Sequence, residues 1–174
     1  RSGARPGDVV AVCGALGAAA EGIALLFARG VDEHGAPDAA RAAVLRPEFD
    51  AVLDAQLAPS PPIAEGVAAS LAGASAMMDV SDGLVLDARR LAEASGVVID
   101  LDAAAIGSRA ALTGGEDHAL LATFPPDAVP PRGFRPIGGV RPADASGPAL
   151  HLDGRPVGER GGWDPYADWD GRAG

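Results

Sequence analysis

The sequence predicts an α+β domain, a mixed β-sheet flanked by helices. Short apolar runs alternate with longer helical patterns along 174 residues, with no internal repeat and no low-complexity linker, which is the order expected of strands and helices packed in layers. The chain is 48% hydrophobic but only 4% aromatic, so Ala, Val and Leu must fill its core. Small side chains bury little area each, and close packing of helices on a sheet is the solution that suits them.

The elements follow in order. Residues 1–8 read as a turn leading into a strand at Val9–Cys13. Gly14 and Gly17 flank the start of a helix that runs to about Ala28, with Gly30 as its C′ residue. A short helix over 36–45 is expected to end at Arg46 and Pro47, because proline breaks the helical hydrogen-bond ladder. Residues 58–63 form a proline-rich loop, and Pro62 opens a helix over 63–72. A strand at Ala76–Val80 hands over to a helix over 82–94, whose Leu84, Ala88, Leu91 and Ala92 share one face while Arg89, Arg90 and Glu93 share the other. Ser95 and Gly96 end it, and Val97–Leu101 is the next strand. Residues 101–115 make an unusually short and bland junction. Strands follow over 118–124 and 134–140, and the tail from Leu150 reads as hairpin or loop.

The formal charge of −10 argues against nucleic acid as a partner, since phosphate backbones are bound by basic surfaces. It leaves a nucleotide substrate open, because divalent cations can stand between carboxylates and phosphates. Cys13 is the only cysteine, so a disulfide or cysteine zinc site within the chain is excluded. It reads as a small buried hydrophobe. His34, His118 and His151 show no metal-ligand spacing, and His118 reads as structural. No apolar run of 18 residues and no signal sequence are visible, so neither a membrane nor secretion is expected and a cytoplasmic location is the default.

Chemistry concentrates in three places. In the run Asp-Val-Ser-Asp-Gly at 79–83, Asp79 closes a strand and Asp82 opens a helix, so both carboxylates can face the space beyond the strand. Oxygen ligands of that kind suit Mg²⁺, and Ser81 can donate to a phosphate. A plain helix cap by Ser81 or Asp82 competes on even terms, although the extra carboxylate of Asp79 tilts the balance. Gly-Gly-Glu-Asp at 114–117 makes a tight turn that aims Glu116 or Asp117 into a cleft, against the commoner alternative of an ordinary loop. Trp163, Tyr166 and Trp169 crowd the tail, where an indole could stack on a flat cationic ring or plug the core. Arg1 and Arg5 could reach a phosphate, against the alternative of a solvated terminus.

Taken together, these segments resemble the thiamine-monophosphate kinases, members of the ATP-binding superfamily that includes aminoimidazole ribonucleotide synthetase and selenophosphate synthetase. The resemblance runs from 1–8 through 78–84, 94–96 and 111–117 to Gly-Trp-Asp at 162–164. It implies the fold of that superfamily's C-terminal domain. It also implies ATP-dependent phosphorylation of thiamine monophosphate to thiamine diphosphate, by direct attack of the substrate phosphate on the γ-phosphoryl group. It implies that Asp79 and Asp82 ligate Mg²⁺, that Ser81 and Arg1 contact ATP, that Glu116 contacts thiamine monophosphate and that Trp163 stacks on it. The family's N-terminal domain, which carries further aspartates and forms a homodimer, has no counterpart in 1–174, so this segment alone is expected to be inactive. The short junction at 106–109 departs from the family pattern. Two other readings stand beside this one: another ATP-using enzyme of the superfamily, and a non-catalytic nucleotide- or ligand-binding half-domain.

Overall fold

The structure is a computed structural model that describes residues 1–158 and Gly161. Its centre is a mixed sheet of β1 (Val9–Cys13), β2 (Ala76–Val80), β3 (Val97–Leu101), β4 (Ala119–Phe124), β5 (Phe134–Pro142), β6 (Ala149–Leu152) and β7 (Arg155–Pro156), in the order β2-β4-β1-β5-β3-β6-β7. All neighbours are antiparallel except β3 and β6. The helices are α1 (Ala18–Arg29), α2 (Ala39–Leu57), α3 (Ile63–Leu71), α4 (Leu84–Ser95), α5 (Ala103–Ile106) and α6 (Arg109–Thr113). This is the expected α+β fold.

The sheet is apolar on both faces, as the period of two along its strands requires. Val10, Val12, Ala119 and Leu121 turn to one core, where α4 buries Leu84, Val85, Ala88, Leu91 and Ala92. Ala11, Cys13, Ala122 and Phe124 turn to the other, under Ala69 of α3. There Phe124 meets Phe134 edge-on at 5.4 Å, the favoured geometry for two rings. The scarcity of aromatics is thus met by small residues in two thin layers.

Several boundaries differ from those read in the sequence. The helix expected over 36–45 begins at Ala39, capped by Asp38 on the Ala40 and Arg41 N–H groups, and continues to Leu57 with a kink at Phe49 (φ −122°). Pro47 bends the chain without ending the helix. Arg46 bridges the kink by reaching Asp50 and Asp54, and Arg29 lies 5.2 Å from the Phe49 ring. Gly30 has φ −95°, so it is not the left-handed C′ residue expected, whereas Gly96, with φ 70°, ends α4 in that way. Helix α4 starts at Leu84 because Gly83 has a non-helical backbone. Strand β4 starts at Ala119 because His118 has φ 52°. The bland junction after β3 is two short helices, capped by Asp102 and Ser108. The tail hairpin is β6–β7, and β6 joins the main sheet beside β3. Among the described residues no helix is long and apolar enough to cross a membrane.

Candidate functional site

Three connections converge where β1 and β2 end and β4 begins, since Cys13 and Asp79 both lie opposite Leu120 in the sheet. They are the segment from Gly14 to Gly17, the Asp-Val-Ser-Asp-Gly turn and the Gly-Gly-Glu-Asp turn. The last two are joined through their backbones. The Glu116 N–H donates to the Ser81 carbonyl at 2.8 Å, and a Cβ on Gly115 would come within 2.6 Å of that same oxygen. Only glycine lets the two turns lie this close. Glu116 itself has φ 69°, a left-handed backbone that costs a residue with a side chain energy and persists where its surroundings enforce it.

Asp117 is buried and accepts hydrogen bonds from the N–H groups of Gly17 and Ala19. It therefore caps α1 and fastens the third connection to the other two. Of the two acids the turn could have aimed outward, Glu116 is the exposed one, at 62% of its side chain. His118 Nε2 lies 4.0 Å from Glu116 Oε2. A cleft of roughly 420 Å³ opens beside them, with Pro61, Pro62, Ile63 and Leu120 as its apolar wall and Asp79 and His118 as its polar one.

The carboxylates of the first turn are held differently from one another. Asp79 is exposed near the end of β2, and among the described residues nothing pairs with its side chain. Asp82 is half-buried and pairs through Oδ2 with Arg90 Nη1. The same Arg90 atom donates to Asp87 Oδ1 at 2.8 Å. Asp87 is fully buried on α4 and takes the Ser81 and Asp82 N–H groups on Oδ2, at 3.1 and 3.0 Å. Burial pushes its carboxyl above the usual Asp value, and the hydrogen bonds from Asp82 and Arg90 oppose that shift. Ser81 keeps its hydroxyl clear of these bonds.

The structure thus brings Asp79, Ser81, Asp82 and Glu116 to one end of the sheet. Arg1 lies elsewhere in this chain. The N–H groups of Gly3 and Ala4 both reach Ser95 Oγ, at the far end of α4, about 18 Å away for a 12-residue helix. Trp163, Tyr166 and Trp169 lie outside the described residues. Gly161 lies against Val85 in the first turn of α4. Sequence reasoning missed Asp87 and Arg90. The signal was present: Asp87 falls on the stripe of Leu84, Ala88 and Leu91, where a carboxylate must find partners, and Arg90 follows it at the i,i+3 spacing. It also passed over His118, which lines the cleft.

Asp79, unpartnered among the described residues, and Asp82, with Oδ1 outside its ion pair, each offer the kind of oxygen that a hard divalent cation takes, its shell being completed by phosphate oxygens and water. Among the described residues no group of three His, Cys, Asp or Glu side chains could hold a metal.

The chain is 41% identical to thiamine-monophosphate kinase of Mycobacterium tuberculosis over 97% of its own length and 48% of that protein. It superposes on thiamine monophosphate kinase from Aquifex aeolicus with a TM-score of 0.69 and 31% identity, over 90% of this chain and 53% of that one. AaThiL complexed with AMPPCP and TMP gives a TM-score of 0.72 at 31% identity, over 92% and 52%. The chain spans about half the length of the curated relatives it matches. The family model of the AIR synthase related protein C-terminal domain matches residues 5–128, which include β1 to β4 and both turns of the site, and the chain belongs to that family.

Proposed function

We propose that this chain is the C-terminal part of a thiamine-monophosphate kinase, which transfers the γ-phosphoryl group of ATP to thiamine monophosphate and releases thiamine diphosphate and ADP. One observation carries the reading. The two turns that characterise the likeness to such kinases are locked together by the Glu116–Ser81 backbone bond and the close approach of Gly115, beside a cleft whose polar lining is Asp79 and His118.

The roles follow from what each group offers. Asp79 and Asp82 would hold Mg²⁺, and when bound the ion would neutralise charge gathered on the phosphates. Ser81 would use its free hydroxyl on a nucleotide phosphate, while Asp87 fixes its backbone. Glu116 would face the cationic thiazolium or the aminopyrimidine of thiamine monophosphate, and Trp163 would stack on the same rings. Arg1 would contact ATP from the far end of α4, which requires a nucleotide bound across an interface with another part of the enzyme. Positioning and charge supply most of the catalysis in such a transfer. The rest of the site, and homodimer formation, would come from an N-terminal half comparable to that of the relatives. The reaction would take place in the cytoplasm.

The test is direct. With Mg²⁺, ATP and thiamine monophosphate, the chain joined to the N-terminal half of the Mycobacterium tuberculosis kinase should form thiamine diphosphate, and the chain alone should not. Trp163→Ala in the joined protein should raise KM for thiamine monophosphate. A joined, folded protein that makes no thiamine diphosphate would overturn the proposal, and one that phosphorylates a different acceptor would favour another enzyme of the superfamily.

A further inference from the structure

We infer that Arg90 is a positioning residue of the cation site: anchored on buried Asp87, it occupies one oxygen of Asp82 and leaves the other for a divalent ion, so that the ion binds poorly by itself and well when it arrives with phosphates. The inference rests on the proposal above that Asp79 and Asp82 hold Mg²⁺.

The anchor is firm for three reasons. Asp87 is fully buried, and its Oδ2 is already committed to the Ser81 and Asp82 N–H groups. Its remaining oxygen takes Arg90 Nη1 at 2.8 Å. Withdrawing Arg90 would leave a buried carboxylate without its counter-charge, which is strongly disfavoured. Arg90 is also suited to the reach. Side chains on a helix slant toward its N-terminus, and Asp82 lies just beyond that end of α4.

The consequence is electrostatic. A guanidinium paired with Asp82 Oδ2 lowers the negative charge that Asp82 offers to a metal ion, and it repels the ion directly. Asp87 shares that guanidinium, so the offset at Asp82 is partial, and Asp79 is left as the acid of the pair with no cation beside it among the described residues. Nucleotide phosphates would provide the missing ligands and also meet the positive charge of Arg90. In this arrangement Arg90 couples cation binding to nucleotide binding.

The experiment uses the 174-residue chain, Mn²⁺ as a spectroscopic probe and electron paramagnetic resonance to count free ion, first without and then with AMPPCP. Arg90→Gln should bind free Mn²⁺ more tightly than the wild type, by roughly fivefold or more, the order expected when a unit charge near a divalent ion in a partly solvated site is removed. The benefit of adding AMPPCP should shrink by a similar factor. Arg90→Lys should stay near the wild type in both. If Arg90→Gln fails to fold because Asp87 loses its partner, the Arg90→Gln/Asp87→Asn double variant keeps an acceptor for the Ser81 and Asp82 N–H groups and should bind Mn²⁺ more tightly than Asp87→Asn alone, the reference that carries the same loss of the Asp87 charge. Unchanged or weaker Mn²⁺ binding in the folded variant overturns the inference, as does the absence of Mn²⁺ binding from wild type and variants alike. Tightening in this chain, alongside a joined, folded protein that makes no thiamine diphosphate, would leave the inference standing and remove only the assignment of substrate.

Discussion

The two ends of β2 lie beside acidic groups in opposite circumstances. At its start, Asp8 is buried and accepts from the Arg5 N–H at 2.9 Å and from the Ser75 hydroxyl. Ser75 Oγ is itself 2.7 Å from Thr123 Oγ1, another fully buried group. Every member of that network is satisfied by its neighbours, which is how buried polar groups serve architecture. At the other end Asp79 is exposed on a strand whose backbone is fixed by β4, and no partner among the described residues satisfies it. An acid on a fixed backbone but open to solvent is free to meet a ligand in a way that Asp8 is not. Asp82 is intermediate, open to solvent on one side and tied to Arg90 on the other.

The sharpest way to break this contrast is to remove the open carboxylates. In the joined kinase, Asp79→Asn or Asp82→Asn should lower kcat/KM by roughly 100- to 1,000-fold, the scale of losing a main electrostatic contact. Asp79→Asn should leave unfolding stability within about 0.5 kcal/mol, as for an exposed surface change. Full activity in both variants would refute the metal assignment. Asp8→Ala should do the reverse. It orphans the Arg5 N–H and Ser75 and should cost about 1–3 kcal/mol in urea denaturation, with KM for thiamine monophosphate unchanged. A change in KM there would show that the two ends are not separate.

The turns themselves give smaller effects. Gly115→Ala places a methyl group 2.6 Å from the Ser81 carbonyl oxygen, so one backbone must move. A loss of about 1–3 kcal/mol is expected, the usual range for overpacking, together with weaker Mn²⁺ binding. Glu116→Gly should separate strain from function. Glycine accepts φ 69° without the Cβ clash, so stability should hold or rise by up to about 1 kcal/mol, while affinity for thiamine monophosphate falls. Equal affinity in the variant would remove Glu116 from the substrate contact.

Much of this was legible in residue order, because it rests on local patterns. The strands at Val9–Cys13, Ala76–Val80 and Val97–Leu101 were readable with their bounds, since each is a short apolar run between turn residues. The buried face of α4 followed from its helical spacing. Readings failed where a distant contact decides. Pro47 suggested a helix end, but Arg46 ties the two halves of α2 together across the kink. His118 looked like a strand residue, but the turn that docks on Ser81 forces it to φ 52°. The open acids of the site were visible because exposed acids at a strand–helix junction stand out. Asp87 and Arg90 were hidden because their partners come from packing, which spacing within one helix only hints at.

The smallest expected effect concerns Cys13, at the same end of the sheet as the site but on the opposite face from α4. Burial pushes its thiol above the ordinary cysteine value, and the nearby Glu65 carboxylate adds to the shift. In the unfolded chain the thiol ionises near its ordinary value of about 8.5. In the folded chain ionisation is deferred to higher pH. The folded state therefore binds the proton more tightly, and this contribution to stability is present in full below the unfolded value and is lost as pH rises through the folded one. Between those two values the wild type should lose stability relative to Cys13→Ala at no more than about 1.4 kcal/mol per pH unit, the limit for one proton, as measured by urea denaturation at stepwise pH. Iodoacetamide should label folded Cys13 slowly even at alkaline pH, because the thiolate is the reactive form. Rapid labelling of the folded chain at neutral pH would contradict the buried thiol and would extend the open character of this end of the sheet to its second face.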